Sequence, residues 1–422
     1  MDLHEGKPDA RRRAVGFGRD GRSVFYLTDE GHEFLRLVRR KLDDGSERVV
    51  VKDLDWDVEE AVISQDHKFG VLSVNAGGIN ELYRFDTQTL TLEPLKGLPR
   101  GIVGEMRLTE DGRRLALSIN AMRLPWDCFV YDFDGAKVRR WTFSEVGGLD
   151  SGKFVAPELV TFKSFDGLEL SAFVYRSGGK GRNPVVIYAH GGPEDQARPY
   201  FYASNQMWMD TLGVTIIEPN PRGSTGYGKT FLGLDNGFKR EDSVADIGSL
   251  LDWIKEQPGL DSDRVAIIGG SYGGYMALAS AVHFSDRLRA AIDEVGISNF
   301  VTFLENTKDY RRDIRRAEYG DERDPAMRDF LQRISPTNNV DKIRVPILVI
   351  QGQNDPRVPV SESEQMVAAL RRQGVPVWYM KALNEGHGYG KKRNQDENEL
   401  VQMLFLRHFL VGESKTPDGQ TR

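Results

Sequence analysis

The chain has 422 residues, with 57 Lys plus Arg against 63 Asp plus Glu and a formal net charge of −6. The length suggests ~2–3 domains, the 39% hydrophobic content fits an ordinary globular protein, and the charge balance offers no basic face for nucleic acid. A single cysteine, Cys128, excludes an internal disulfide and a Cys-rich zinc site. No apolar run approaches the ~20 residues of a membrane span, so no membrane partner is expected. The N-terminal stretch through Arg11-Arg12-Arg13 lacks the apolar core of a signal peptide. The expectation is a soluble, cytoplasmic protein.

Residues 1–150 read as short strands that repeat. Asp20-Gly21-Arg22, Asp66-His67-Lys68 and Asp111-Gly112-Arg113 each precede an apolar strand, at intervals of 46 and 45 residues. A second strand follows each time, near Leu35, Leu82 and Phe129, and a third stretch runs through Leu42, Leu90 and Val138. A period of ~45 residues with several strands and a polar turn per unit is the signature of β-propeller blades. Three such units fill this region, whereas closed propellers have about 4–8 blades. An open arc of three blades is therefore expected, with strands such as Val24–Leu27 partly uncovered and an edge that favours self-association.

Residues 151–412 follow a different pattern, strands alternating with helices. A hairpin is expected over Leu159–Tyr175 around Asp166-Gly167, followed by the apolar runs Val185–Tyr188, Val214–Ile217, Val265–Ile268, Ile347–Ile350 and Val377–Met380. Continuous β-branched runs suit a parallel sheet covered on both faces. Val244, Ile247, Leu250, Leu251 and Ile254 fall on one helical face, with Asp242 and Ser243 available as caps. The fold class is thus α/β, a doubly wound domain preceded by an all-β partial propeller of about three blades. Residues 413–422 read as a polar, frayed tail.

Gly269-Gly-Ser271-Tyr-Gly273 contains G-x-S-x-G between a strand and a helical run, the context of a nucleophile elbow. Such an elbow needs an acid and a histidine after later strands. Asp355 follows Ile347–Ile350, and His387 follows Val377–Met380 in a glycine-flanked loop; the order Ser271, Asp355, His387 is that of a triad in an α/β-hydrolase catalytic domain, here preceded by the partial propeller. One oxyanion donor is the backbone N–H of Tyr272; the other is expected from the loop His190-Gly191-Gly192-Pro193. His190 reads as a loop-ordering residue and His408 as a packing or surface residue. Gly16-Phe-Gly18-Arg-Asp-Gly21 matches a dinucleotide fingerprint, but a strand follows it. Asp53, Asp55 and Asp57 mimic the start of a calcium loop, with Val58 and Ser64 where Gly and Glu are required. No cofactor or metal is expected. Arg311, Arg312, Arg315 and Arg316 read as a solvated helix face.

These motifs, with Asn220-Pro-Arg-Gly-Ser-Thr-Gly-Tyr-Gly228, Ser335-Pro336 and Asn354-Asp-Pro-Arg-Val-Pro359, resemble the prolyl oligopeptidase family of serine peptidases, nearest its dipeptidyl-peptidase and acylaminoacyl-peptidase branches. The resemblance spans residues 158–412, and the upstream blades fit it. It implies hydrolysis of short peptides, with a propeller restricting entry. It further implies the Gly192 amide as second oxyanion donor, Arg357 on a substrate carbonyl, and an apolar pocket from Phe300, Phe303 and Tyr319. Paired glutamates hold a free N-terminus in one branch; nothing ties Glu59-Glu60 to that role. Relative to the family the chain reads as shortened at its N-terminus. Rival readings are a carboxylesterase with the same triad and a binding protein that has lost activity.

Overall fold

The computed structural model describes residues 10–412 except Asp53, Gly148, Gly179 and Lys180. The expected tail 413–422 and the Asp53 end of the aspartate triplet lie outside the described residues. Two compact units emerge. One runs to Ala156 and includes Arg198–Ala203 and Thr225–Leu232; the other comprises the remainder from Pro157.

The first unit is built from three four-stranded antiparallel meanders. The first holds β1 (Arg12–Phe17), β2 (Ser23–Thr28), β3 (Arg36–Lys41) and β4 (Glu47–Val49). The second holds β5 (Val58–Ile63), β6 (Phe69–Ala76), β7 (Ile79–Asp86) and β8 (Leu92–Pro94). The third holds β9 (Gly101–Leu108), β10 (Arg114–Ala121), β11 (Leu124–Asp132) and β12 (Lys137–Arg140). The same turn joins the first and second strands of each meander. Asp20, Asp66 and Asp111 each accept a hydrogen bond from the backbone N–H two residues on, at 3.0, 3.1 and 3.0 Å. The residue between is left-handed in every case: Gly21, His67 and Gly112, with φ of 61°, 55° and 67°.

The structure departs from the expected pattern in three places here. The strand that precedes each Asp turn (β1, β5, β9) was not expected, because its exposed polar positions blur the alternation. Leu42 and Leu90, expected within strands, sit in the turns after the third strand, and Leu90 has φ 64°. Strand β2 is not uncovered: Phe25, Tyr26 and Leu27 are buried. It lies between β1 and β3, and Phe25 and Leu27 enter a cluster with Leu72, Val74 and Phe85 of the second meander. Alternate residues of β6 face the other way, and Val71 joins Met106, Leu117 and Phe129 of the third meander. One strand therefore supplies two inter-blade cores, each large buried side chain contributing about 1.5–3 kcal/mol.

The second unit is organised by one eight-stranded sheet among the described residues. Its strands are β13 (Glu158–Lys163), β14 (Glu169–Tyr175), β15 (Asn183–Ala189), β16 (Thr215–Asn220), β17 (Leu260–Gly270), β18 (Ala290–Glu294), β19 (Ile347–Gly352) and β20 (Val377–Ala382). The order is β13-β14-β16-β15-β17-β18-β19-β20, antiparallel at the β13–β14–β16 end and parallel from β16 through β20. The strand interiors Val185–Ile187 and Val265–Ile268 are almost wholly buried, as a sheet covered on both faces requires.

The helices in chain order are α1 (Ala203–Leu212), α2 (Lys229–Leu232), α3 (Arg240–Glu256), α4 (Tyr272–His283) and α5 (Phe300–Asn306), then α6 (Asp309–Tyr319), α7 (Pro325–Ile334), α8 (Val360–Arg372) and α9 (Lys392–Leu406). Among the described residues, no helix is long and apolar enough to cross a membrane.

Helix α3 corrects the expected cap at Asp242 or Ser243. It begins at Arg240, whose side chain is fully buried and ion-paired with Asp235. The Ser243 hydroxyl instead donates back to the Arg240 carbonyl at 2.9 Å. Tertiary burial of one guanidinium has overridden a local capping preference.

Candidate active site

Strand β17 ends at Gly270 and α4 starts at Tyr272, leaving Ser271 alone on the turn with φ 58° and ψ −117°. A non-glycine residue held there stores about 1–3 kcal/mol of strain. The Ser271 N–H donates to the Glu294 carbonyl at 2.8 Å, tying the turn to β18. A Cβ on Gly269 would lie 2.3 Å from the Gly273 carbonyl oxygen, and one on Gly273 would lie 2.2 Å from that of Ala189. Both glycines are required by that close approach.

Asp355 follows β19, and both its oxygens are committed. Oδ1 accepts from the N–H groups of Arg357 (2.7 Å) and Val358 (3.0 Å). Oδ2 accepts from His387 Nδ1 at 2.7 Å and from Gln351 Nε2 at 3.3 Å. The Asp355 side chain is fully buried, and that of His387 is 12% exposed. Gln351 escaped sequence reasoning. Ser363 donates to its Oε1 at 2.6 Å, which turns its amide towards Asp355. An amide closing the apolar run Ile347–Ile350 was the available signal.

Ser271 and His387 line one cavity of about 510 Å³, together with Val295, Ile350, Glu294 and Glu399. Burial raises the Glu294 carboxyl, although Asn398 and Gln402 donate to its Oε1 at 2.9 and 2.8 Å. Burial, reinforced by the Glu294 charge, pushes Glu399 up to about 7. Both acids were missed: one ends a strand and the other sits on an otherwise ordinary polar helix.

The loop after β15 approaches the serine directly. A Cβ on Gly191 would lie 3.6 Å from Ser271 Cβ, and Gly192 has φ 114°. The Gly192 carbonyl accepts from Arg315 Nη1 at 3.1 Å and from the Tyr319 hydroxyl at 3.4 Å. His190 has its ring nitrogens 2.7 Å from the Gly191 carbonyl and 2.9 Å from Ser224 Oγ, and burial lowers its pKa. It orders the loop.

Phe300, Phe303 and Tyr319 are brought together, but as a closed aromatic core at 0%, 3% and 1% exposure. Tyr319 stacks on Tyr272 at 6.0 Å and 13°, and Phe300 meets Tyr275 at 4.6 Å. None of the three lines the cavity shared by Ser271 and His387. The Arg357 side chain is exposed and makes no hydrogen bond or ion pair among the described residues. Glu59 accepts from Arg198, Asn75 and Asn80, so its carboxylate is occupied.

The solvated arginine face on α6 is a correction. Arg315 and Arg316 are each 14% exposed, paired with Glu318 and Glu322. Arg312 is 28% exposed and donates to the Thr307 carbonyl. Helix α6 packs its arginines inward because buried acids and carbonyls await them.

A mainly parallel eight-stranded sheet with a serine on a strained strand–helix turn, and later loops bringing a buried aspartate to a histidine, defines an α/β-hydrolase. Residues 199–412 match the prolyl oligopeptidase family, and the chain belongs to it. It is 28% identical over 414 residues to dipeptidyl aminopeptidase BIII of Pseudoxanthomonas mexicana, a match covering 95% of this chain and 60% of that one. It is 33% identical over 235 residues to dipeptidyl peptidase family member 6 of Caenorhabditis elegans, covering 55% of this chain and 32% of the relative.

Among solved structures, a puromycin-hydrolyzing peptidase of Mycobacterium tuberculosis shares the fold with a TM-score of 0.86 at 21% identity, over 96% of this chain and 62% of that one. Pyrococcus horikoshii acylaminoacyl peptidase does so with a TM-score of 0.79 at 24% identity, over 96% and 64%. The chain thus spans 60% of the length of the Pseudoxanthomonas relative and 62% of the mycobacterial one.

Proposed function

We propose that the chain is a serine peptidase that cleaves short peptides through an acyl-enzyme, with Ser271 as nucleophile, His387 as general base and Asp355 as its partner. The observation that carries this reading is the 2.7 Å hydrogen bond from His387 Nδ1 to buried Asp355, with His387 on the cavity that Ser271 also lines. That bond keeps the proton on Nδ1 and leaves Nε2 free to accept one. Ser271 Oγ attacks the carbonyl carbon while its proton passes to Nε2. The N–H groups of Tyr272 and Gly192 hold the oxyanion. His387 returns the proton to the departing amine, and water, deprotonated by the same nitrogen, then releases the acyl group. Arg357 holds the carbonyl of the substrate residue beside the scissile bond, which its exposed guanidinium, unpaired among the described residues, supports. Phe300, Phe303 and Tyr319 support the acyl side of the site through Tyr272.

In this reading residues 1–150 are propeller blades, 151–412 the catalytic domain and 413–422 a tail. Self-association through an open propeller edge and a cytoplasmic setting belong to the same proposal. A lone, exposed Cys128 supports the latter, and cell fractionation tests it.

The experiment is labelling by a serine-reactive phosphonate followed by turnover of free, N-acylated and internal-proline peptides beside a small acyl ester. Labelling with peptide cleavage is expected. Ester cleavage with every peptide left intact would overturn the peptidase reading in favour of an esterase, and absence of labelling would overturn both.

A further inference from the structure

The helix of arginines on α6 reaches the proposed oxyanion site. Arg315 Nη1 donates to the Gly192 carbonyl at 3.1 Å and to Glu318 Oε2 at 2.5 Å. One helical turn on, the Tyr319 hydroxyl donates to the same carbonyl at 3.4 Å. Gly192 has φ 114° and no side chain, so nothing of its own restricts the tilt of its peptide planes. The two donors from α6 fix the plane that carries the Gly192 carbonyl, while the preceding plane, which carries the Gly192 N–H, is held at the Gly191 carbonyl by His190 Nδ1 at 2.7 Å. Tyr319 also stacks on Tyr272, the other proposed oxyanion donor. The Tyr272 phenol is in turn held by Arg240 Nη1 at 3.2 Å and lies 2.9 Å from Ser243 Oγ. Arg240 closes the ring by donating to the Glu318 carbonyl at 3.0 Å.

We infer that Arg315 is a positioning residue for acyl transfer: by anchoring the Gly192 carbonyl it fixes one side of the backbone turn at Gly192, whose other side, held by His190, presents the Gly192 N–H to the developing oxyanion. The inference rests on the serine-peptidase reading above and deepens it. Arg315 touches neither nucleophile nor base. Its effect falls on the transition state, because an oxyanion bond strengthens only as the carbonyl oxygen gains charge. The ground-state complex is left nearly unchanged.

The test uses the full chain, the best-cleaved peptide of the panel, the matching peptide aldehyde and the acyl product acid. The aldehyde forms a hemiacetal whose oxygen occupies the oxyanion site; the product acid reports binding alone. Arg315→Met should lower kcat about 10- to 100-fold with KM within about twofold, the loss expected from a misaligned donor. Aldehyde affinity should fall by the same factor as kcat/KM, with product affinity unchanged. Arg315→Lys, which keeps one charged donor, should recover part of the loss.

Where Arg315→Met fails to fold, the double variant Arg315→Met/Glu318→Gln removes both charges of the buried pair and should show the same split. An unchanged kcat, or equal loss of aldehyde and product affinity, would overturn the positioning role while leaving the peptidase reading intact. Wild-type protein that neither labels nor turns over peptide overturns both.

Discussion

At the scale of single residues, Asp355 has its four hydrogen-bond donors in place before substrate arrives, so His387 is oriented by a rigid group. Ser271→Ala should abolish phosphonate labelling and lower peptide turnover by roughly 10⁴–10⁶-fold with circular dichroism unchanged. Labelling that persists on another serine would refute the assignment. Alanine keeps the Cβ that strains the turn at φ 58°. Ser271→Gly should therefore be equally inactive yet about 1 kcal/mol more stable than Ser271→Ala in thermal unfolding.

Arg357 poses a separate question, since its backbone serves Asp355 while its side chain is unpaired among the described residues. Arg357→Ala should weaken peptide hydrolysis by about 1.5–3 kcal/mol in kcat/KM and leave a small acyl ester nearly unaffected. Equal losses on both substrates would assign the residue to loop structure.

At the scale of elements, strand β16 carries a group that couples the sheet to pH. Glu218 is buried with Asn205 Nδ2 donating to it at 2.9 Å, and burial pushes its carboxyl from 4.5 up to about 7. Below pH 4.5 the group is protonated whether the chain is folded or not. As pH rises from there the unfolded chain ionises first, so folding stability falls until about pH 7 and the loss is then complete. A shift of that size corresponds to about 3 kcal/mol. Glu218→Gln keeps the acceptor for Asn205 and removes the charge. It should be more stable than wild type by about 3 kcal/mol at pH 8 and by much less at pH 5, read by chemical denaturation. An equal difference at both pH values would show that Glu218 does not titrate in this range.

At the scale of the whole molecule, the three meanders bury their apolar alternation between neighbours, as Leu72 and Val71 do on opposite faces of β6. The most exposed aromatic side chains of this unit lie beside β12, not on β2. Trp141 and Phe143 are 66% and 74% exposed, directly beyond the last strand of the third sheet. Exposed aromatic residues beside a sheet edge favour association. The chain should sediment as a concentration-dependent mixture, and Trp141→Ser with Phe143→Ser should shift it towards monomer. A monodisperse monomer at high concentration would remove self-association from the proposal.

Patterns that short-range chemistry dictates were legible without coordinates. Asp followed by a left-handed residue makes a turn wherever it occurs, so the blade repeat was readable from Asp20, Asp66 and Asp111. Apolar runs ahead of the G-x-S-x-G, the acid and the histidine read as buried strands, so Ser271, Asp355 and His387 could be named as candidates from order alone. Long-range packing decided the rest. Gln351 orients Asp355 only because β19 and α8 bring Ser363 to it. Arg240 starts a helix without a capping side chain because Asp235 and Glu318 surround it in the fold. Arg315 looks like surface charge in a run of arginines. Only the docking of α6 against the Gly192 loop removes it from water and gives its guanidinium a carbonyl to hold.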